Sequence, residues 1–358
     1  MKVALLNDTH IGVRNSSDKF YGLMRDFFFE QFIPYCNKND IKQVLHLGDW
    51  FDVRRFTEVK AKVFSREIIA AFRENNIKMD IIIGNHDVYY KNTNKFSALV
   101  EILSKESDVV TIYTKPTEVA YENAKVLLIP WINQENYDEC VEAIKNSTSP
   151  ICAGHFEMPG FAMMKAGKVS TSGLELKMFS HYDEVWSGHY HTQSQRENVH
   201  YLGTQFELTW ADCEDEKGFF VFDTNTFKKT RVINKQKVFY KIRYDERIDK
   251  DPRKLEIEKD AFIKIIPIHA ESRKQFDRYV EMVEQFLEPH SLGVVYPLSE
   301  TGEVTEEDKE ELLVDTPTFL HRTIHEMYDD SKDYDADKLS TFALEIYNEA
   351  LAQDTTDD

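Results

Sequence analysis

The chain has 358 residues, 42% of them apolar and 30% charged. That length accommodates two or three domains with a sizeable core, and the composition excludes a wholly disordered chain. The formal charge of −19 is unevenly spread, because residues 300–358 carry 19 acidic and 4 basic side chains. The body before them is nearly neutral, and no continuous basic stripe marks a nucleic-acid face. No segment approaches the roughly 18 consecutive apolar residues of a membrane span. The start, MKVALLNDTH, lacks the apolar segment of a secretory signal. Cys36, Cys140, Cys152 and Cys213 form no CxxC pair, so they read as reduced thiols, not as a disulfide frame or zinc knot. A soluble, cytoplasmic protein with no membrane contact is expected.

In chain order, strands are expected at Lys2–Leu6, Gln43–Leu47, Met79–Ile83, Val126–Ile129, Ile151–Ala153 and Asp183–Trp186. Helical patterns lie between several of them: Phe20–Asn37, Thr57–Asn75, Lys95–Lys105 and Glu135–Lys145. This βαβα order predicts an α/β layered body. Closely spaced strands follow at Val199–Leu202, Gly218–Phe222 and Lys229–Ile233. They are expected to build a second sheet facing the first, with helices outside both. A small α+β unit then begins: strand Phe239–Tyr244, strand Ala261–Pro267, and a helix from Ser272 to Leu287. Past Gly293 an acidic linker leads to helical patterns at Thr318–Tyr328 and Ala336–Ala350. The expected domains are 1–235, 236–292 and 293–358.

Five apolar runs end in residues that can bind metal ions. VALLNDTH ends in Asp8 and His10, and VLHLGDWFD contains Asp49. DIIIGNHD ends in Asn85, His86 and Asp87, PICAGHF contains His155, and EVWSGHYH ends in His189 and His191. In an α/β fold, functional groups gather outside the carboxyl ends of strands, so five such ends can converge on one crevice. Gly48, Gly84, Gly154 and Gly188 stand directly before the polar residue, where a glycine permits a sharp turn and close approach. Residues i and i+2 on extended backbone face one side, so Asp8 with His10, and His189 with His191, can each serve one site. Carboxylate, imidazole and amide oxygen together suit a divalent ion such as Mn²⁺ or Fe²⁺ and differ from a thiolate zinc shell. Seven candidate ligands exceed the needs of one ion. Two ions bridged by a carboxylate, roughly 3.5–4 Å apart, fit the count.

Any one of these pieces alone is weak, since a lone strand-end histidine is usually a hydrogen-bonded structural residue. Their joint occurrence in one order carries the inference. His46, His181, His200, His269, His290, His321 and His325 lack that context and are expected to be structural. The aromatic runs Phe27–Phe29 and Phe219–Phe220 read as core.

The set D-x-H, GD, GNHD, GH, GHxH resembles the calcineurin-like metallophosphoesterase superfamily, whose fold is a four-layer sandwich. The GHYH, YLGTQFELTW and KGFFVFD segments, the small domain and the acidic tail are similar to the SbcD-type DNA repair nucleases. FDVRR, IIGNHD, YKN, IPW and EVWSGHYHT resemble the T-even-like bacteriophage members of that group, the recombination endonuclease subunits. The resemblance implies a metal-dependent DNA exonuclease and single-strand endonuclease acting in end processing, recombination and double-strand break repair. It implies two ions, Mn²⁺ foremost with Mg²⁺ or Fe²⁺ as alternatives. Asp8, His10, Asp49 and His191 would hold the first, and Asp49, Asn85, His155 and His189 the second. His86 matches the family's catalytic histidine, acting on the scissile phosphate. The implied partners are DNA, a coiled-coil SMC-like ATPase and a second copy of the chain, in a two-plus-two complex.

One position departs from the pattern: GDWFD has Asp52 where archaeal and eukaryotic relatives have His. The small domain would cap the site and guide DNA, with Lys241, Arg243, Arg253 and Lys254 as phosphate contacts. Apolar residues recur at helical spacing in the tail: Phe319, Leu320, Ile324, Leu339, Phe342, Ile346 and Tyr347. They predict amphipathic helices that dock on the ATPase. A small-molecule phosphodiesterase or protein phosphatase on the same body is the alternative. It leaves the small domain and tail without a task.

Overall fold

The computed structural model describes residues 1–53, 57–162, 169–248 and 251–296, together with Ile324, Leu339, Ser340 and Ala343. The chain divides into two compact units, Met1–Lys237 and Val238–Asp358. In the first unit β1 (Lys2–Leu6), β2 (Gln43–His46), β3 (Lys78–Ile82) and β4 (Val110–Tyr113) lie side by side and parallel. The second sheet contains β5 (Thr117–Tyr121), β6 (Ala124–Ile129), β7 (Ile151–Gly154), β8 (Glu184–Ser187), β9 (Ser194–Arg196) and β10 (Val199–Tyr201), in the order β5-β6-β7-β8-β10-β9. Then β11 (Lys217–Asp223) returns to pair antiparallel with β1, and β12 (Lys228–Asn234) pairs with β11.

This corrects the expected placement of the late strands. Only β10 of that group belongs to the second sheet, while β11 and β12 extend the first. Alternation within a strand specifies its two faces and says nothing of its neighbour, so local pattern could not choose between the sheets.

The four-layer arrangement itself stands. Val3 and Leu5 of β1, Leu45 of β2, and Phe220 and Phe222 of β11 pack against Val126, Leu128, Ile151 and Trp186 of the second sheet. Along β11 the intervening Phe219 turns to the other face and meets Phe27 and Phe32 at 6.1 and 5.0 Å between ring centres. The helix that supplies them runs from Asp18, passes through a π-helical stretch at Asp26–Phe32 and ends at Lys38. One π turn brings residues i and i+5 together, so Phe27, Phe28 and Phe32 are all buried. Each buried phenylalanine contributes on the order of 1.5–3 kcal/mol. The helix Val59–Glu74 completes this layer through Phe72, 6.3 Å from Phe28. On the far side, Cys140, Val141 and Ile144 of the helix Tyr137–Asn146 cover Leu127, Ile129, Cys152 and Val185.

The expected helix at Lys95–Lys105 begins later, at Ala98, because the preceding residues form a loop closed by a bridge between Val88 and Ser97. None of the four cysteines is in a disulfide, and all are buried. No helix among the described residues is long and apolar enough to cross a membrane.

The second unit is a parallel sheet of β13 (Phe239–Asp245), β14 (Phe262–His269) and β15 (Ser291–Val294). The helix Arg273–Leu287 turns Phe276, Tyr279, Val283 and Leu287 onto Ile242, Tyr244, Ile263 and Ile265, the stripe an amphipathic helix requires. Ser272 caps this helix, its Oγ accepting from Gln275 N at 3.3 Å. The sheet continues past residue 292, beyond the expected domain edge. In the tail, Ile324 and Leu339 are helical and half-buried. Phe319, Leu320, Phe342, Ile346, Tyr347, His321 and His325 lie outside the described residues.

Candidate metal centre

Five adjacent strand ends build the site, three in one sheet and two in the other. Beyond β1 come Asp8 and His10, beyond β2 Asp49, beyond β3 Asn85 and His86, beyond β7 His155, and beyond β8 His189 and His191. The register aligns these ends, with Leu6 opposite His46 and Gly154 opposite Ser187. The parallel strands of the two sheets therefore deliver their loops to one edge of the sandwich.

The loops are tightly apposed. Gly48 has φ +88°, and a Cβ there would stand 2.7 Å from Gly84 Cα; a Cβ on Gly84 would collide with the Asp49 carboxylate and backbone. Four of the polar residues themselves have left-handed backbone: Asp8 (φ 48°), His10 (φ 50°), Asp49 (φ 59°) and His189 (φ 82°). Such conformations cost on the order of 1–3 kcal/mol each and persist where the surroundings over-determine them, as at active sites.

The side chains form two groups that share one carboxylate. Asp8, His10 and His191 bring ligand atoms within 4.8 Å of one another, and so do Asp49, His155 and His189. Asn85 belongs with the second group, its Oδ1 lying 2.8 Å from His155 Nε2 and 3.0 Å from His189 Nδ1. The backbone N–H of His86 holds Asp49 Oδ1 at 2.8 Å. The other oxygen, Oδ2, stands 3.2 Å from His155 Nε2 and 3.8 Å from His10 Nε2, between the groups. Asp8 is aimed by the His189 backbone N–H, which donates at 3.0 and 3.1 Å to its two oxygens.

Orientation of the imidazoles comes from a further layer. His155 Nδ1 donates to Leu47 O at 2.7 Å, which turns Nε2 toward the shared carboxylate. His10 Nδ1 lies 3.1 Å from Asp52 Oδ1, so Asp52 stands behind His10 as its supporting carboxylate. His86 Nδ1 meets Asp52 O at 2.6 Å, and its ring is 4.8 Å from that of His10. The Trp131 ring covers His155 and His189 at 6.0 and 5.5 Å.

Electrostatics mark the same place. Burial opposes the charge of His10, yet Asp52, Asp49 and Asp8 raise its pKa to about 9. His155 likewise, against burial, is raised to about 9 chiefly by Asp49. Burial pushes Asp8 up to about 6, while burial and the neighbouring His10 bring His191 down to about 3. Asp49 is held well below the usual carboxylate range: burial works against this, but His155 and His86 prevail.

The donor set fits a pair of divalent cations. Two buried carboxylates, four imidazoles and an amide oxygen converge without any thiolate, the set that suits two hard-to-borderline ions. Both His10 ring nitrogens are buried without a hydrogen bond of good geometry, and Nε2 faces Asp8 and Asp49 oxygens at 3.9 and 3.8 Å. A buried ring nitrogen left so is costly unless an ion takes it.

Pattern alone missed three supports. Asp87, the last residue of GNHD, accepts from the backbone N–H groups of Gly84, Asp49, Trp50 and Phe51 at 2.8–3.1 Å, locking two site loops together. Asp52 and Trp131 are the others; both aspartates stand out in the GDWFD and GNHD motifs, but the groups they support do not. Among the histidines set aside, His46 is fully buried, 2.8 Å from Thr9 Oγ1, and His290 pairs with Asp260. His269 stands 3.0 Å from Glu271, itself largely exposed. Of the basic candidates, Arg253 is held by Asp251 at 2.7–3.0 Å and lies over the Phe286 ring. Lys241 and Arg243 share one face of β13, and Lys254 is exposed.

The family model of the calcineurin-like phosphoesterases matches residues 1–193. Over 352 residues the chain is 35% identical to Exonuclease subunit 1 of Enterobacteria phage T4, covering 98% of this chain and 99% of that one. It is 24% identical over 196 residues to the DNA double-strand break repair protein Mre11 of Sulfurisphaera tokodaii, 52% of this chain and 48% of that one. Among solved structures, an archaeal phosphodiesterase is similar over 65% of this chain and all of its own, with 15% identity and a TM-score of 0.35. With its motifs on five converging strand ends and the family match over that whole span, the chain belongs to the calcineurin-like phosphoesterases.

Proposed function

We propose that the protein is a two-metal phosphodiester hydrolase whose substrate is DNA, a nuclease of recombination and repair. The observation that carries the reading is the shared Asp49 Oδ2, flanked by one donor group on each side, with His86 next to both. Asp8, His10, Asp49 and His191 would hold one ion and Asp49, Asn85, His155 and His189 the other. The mixed oxygen and imidazole donor set suits Mn²⁺, with Mg²⁺ and Fe²⁺ as alternatives. When bound, the ions supply an activated water and positive charge against the phosphate.

The chain's own residues do the rest. His10 and His155 are oriented through their Nδ1 atoms, so their Nε2 atoms face the cation positions. His86, anchored by the Asp52 carbonyl, acts on the phosphate or leaving oxygen through its other nitrogen. Trp131 keeps solvent from the second histidine pair.

DNA as the substrate rests on the two nuclease relatives and on the small unit, which a small-molecule phosphodiesterase does not require. Linear DNA and a chromogenic phosphodiester, each with Mn²⁺, Mg²⁺ or chelator, separate the readings. Hydrolysis of the ester alone would overturn the nuclease.

An ATPase partner docking on the tail is part of this proposal, supported by the acidic, amphipathic sequence after residue 300. A homodimer completes the two-plus-two assembly. Truncation after Gly302 is expected to leave a metal-loaded nuclease that no longer co-purifies with the ATPase. Retained co-purification would move the interface elsewhere.

A further inference from the structure

Lys217 is a lysine with almost no access to water, 2% exposed at the first residue of β11. Its ammonium has three donors, and each has an acceptor: Asp212 Oδ1 at 2.7 Å, Asp215 Oδ2 at 3.1 Å and the backbone carbonyl of His191 at 2.9 Å. Asp212 is itself 1% exposed, and its second oxygen accepts from the N–H groups of Leu208 and Thr209 at 3.0 and 2.9 Å. The His191 carbonyl also accepts from Thr204 N at 3.0 Å.

Removing an ammonium and a carboxylate from water costs several kcal/mol per ion. An apolar pair of similar volume often serves stability as well or better. Stability therefore gives little reason for a charged pair here. Among the described residues, the ammonium reaches outside the local turn to the carbonyl of His191. No polar group of Lys217 remains for substrate, since all three donors are taken and the side chain is enclosed.

We infer that the Lys217–Asp212 pair is a positioning device for the first ion: it fixes the His191 backbone so that the imidazole stays aimed at Asp8 and His10. The inference rests on the reading of His191 as a ligand, and the test separates the two. Its ring centre lies 5.1 Å from that of His10, so a small backbone rotation at residue 191 would carry the ring out of the group. The second group has an anchor of its own. It is held by Leu47 O at His155.

The test is Mn²⁺ binding followed by calorimetry and by electron paramagnetic resonance on the full chain. Lys217→Met keeps the stem and removes the charge. Because it leaves Asp212 buried and uncompensated, Lys217→Met/Asp212→Asn is made beside it, retaining an oxygen for the Leu208 and Thr209 N–H groups. The expected result in the double variant is native circular dichroism, first-ion affinity lowered about 10–100-fold and second-ion affinity unchanged. The spectrum should pass from that of a coupled pair toward that of a single ion. Wild-type affinity for both ions in the folded double variant would overturn the inference and leave the pair merely structural. His191→Ala is the control: if it also retains both ions, the ligand reading itself falls, and the positioning role with it.

Discussion

The crevice of the first unit and the surface of the second handle charge in opposite ways. At the strand ends, Asp8, Asp49, His10 and His155 are buried and meet other titratable groups or backbone N–H donors, and the first three stand on backbone with positive φ. In the small unit each of these ion pairs keeps an exposed cation: Arg247 with Asp245, Arg253 with Asp251, Lys259 with Glu288 and Arg273 with Asp277. Exposed pairs like these form wherever the chain offers them and add little. Buried carboxylates and imidazoles crowded together are expensive, and they persist where a cation resolves their repulsion. Strain and burial identify the site more sharply than the number of charged residues does.

Breaking the crevice at its shared ligand is expected to have the largest effect. Asp49→Ala should lose both ions by elemental analysis and abolish DNA hydrolysis, since Oδ2 faces both donor groups. Next in size is His86→Ser, expected to keep both ions while hydrolysis falls about 10²–10⁴-fold, the usual loss on removing a general acid or base. Equal metal loss in the two variants would erase the distinction between a ligand and a residue acting on phosphate.

A smaller change probes the supporting layer. Asp52→Asn should weaken the first ion about 10–100-fold through His10, read as a shifted Mn²⁺ titration, with the second ion unaffected. Unchanged titration would show that His10 is oriented without the carboxylate. The ion-free site also predicts proton release. His10 and His155 are raised to about 9, so at pH 8 both are mainly protonated, and ions must displace those protons. Loading should therefore tighten as pH rises toward 9, and calorimetry in buffers of different ionisation heat counts the protons released.

The smallest effects belong to the second unit. Each phosphate contact contributes about 0.9 to the slope of log affinity against log salt. Lys241→Ala and Arg243→Ala should each flatten that slope by such an amount if this unit guides DNA. Arg253→Ala should change it least, because Asp251 already holds the guanidinium. A slope unmoved by all three would return these residues to ordinary surface charge.

Sequence by itself determined the inventory of candidate ligands and the layered class. A metal ligand must be a particular side chain on a particular turn, so DTH, GD, GNHD, GH and GHYH could be read without coordinates, as could the period-2 strands that carry them. Tertiary structure alone decided which sheet receives β11, because pairing joins residues over 200 positions apart, as in Val3 with Phe222. It alone brought Asp52 to His10, Asp87 to four backbone N–H groups and Lys217 to the carbonyl of His191. The physical reason is common to all of these. A ligand's identity resides in its own side chain, whereas a supporting contact is a relation between groups that only the packed sheets bring within hydrogen-bonding distance.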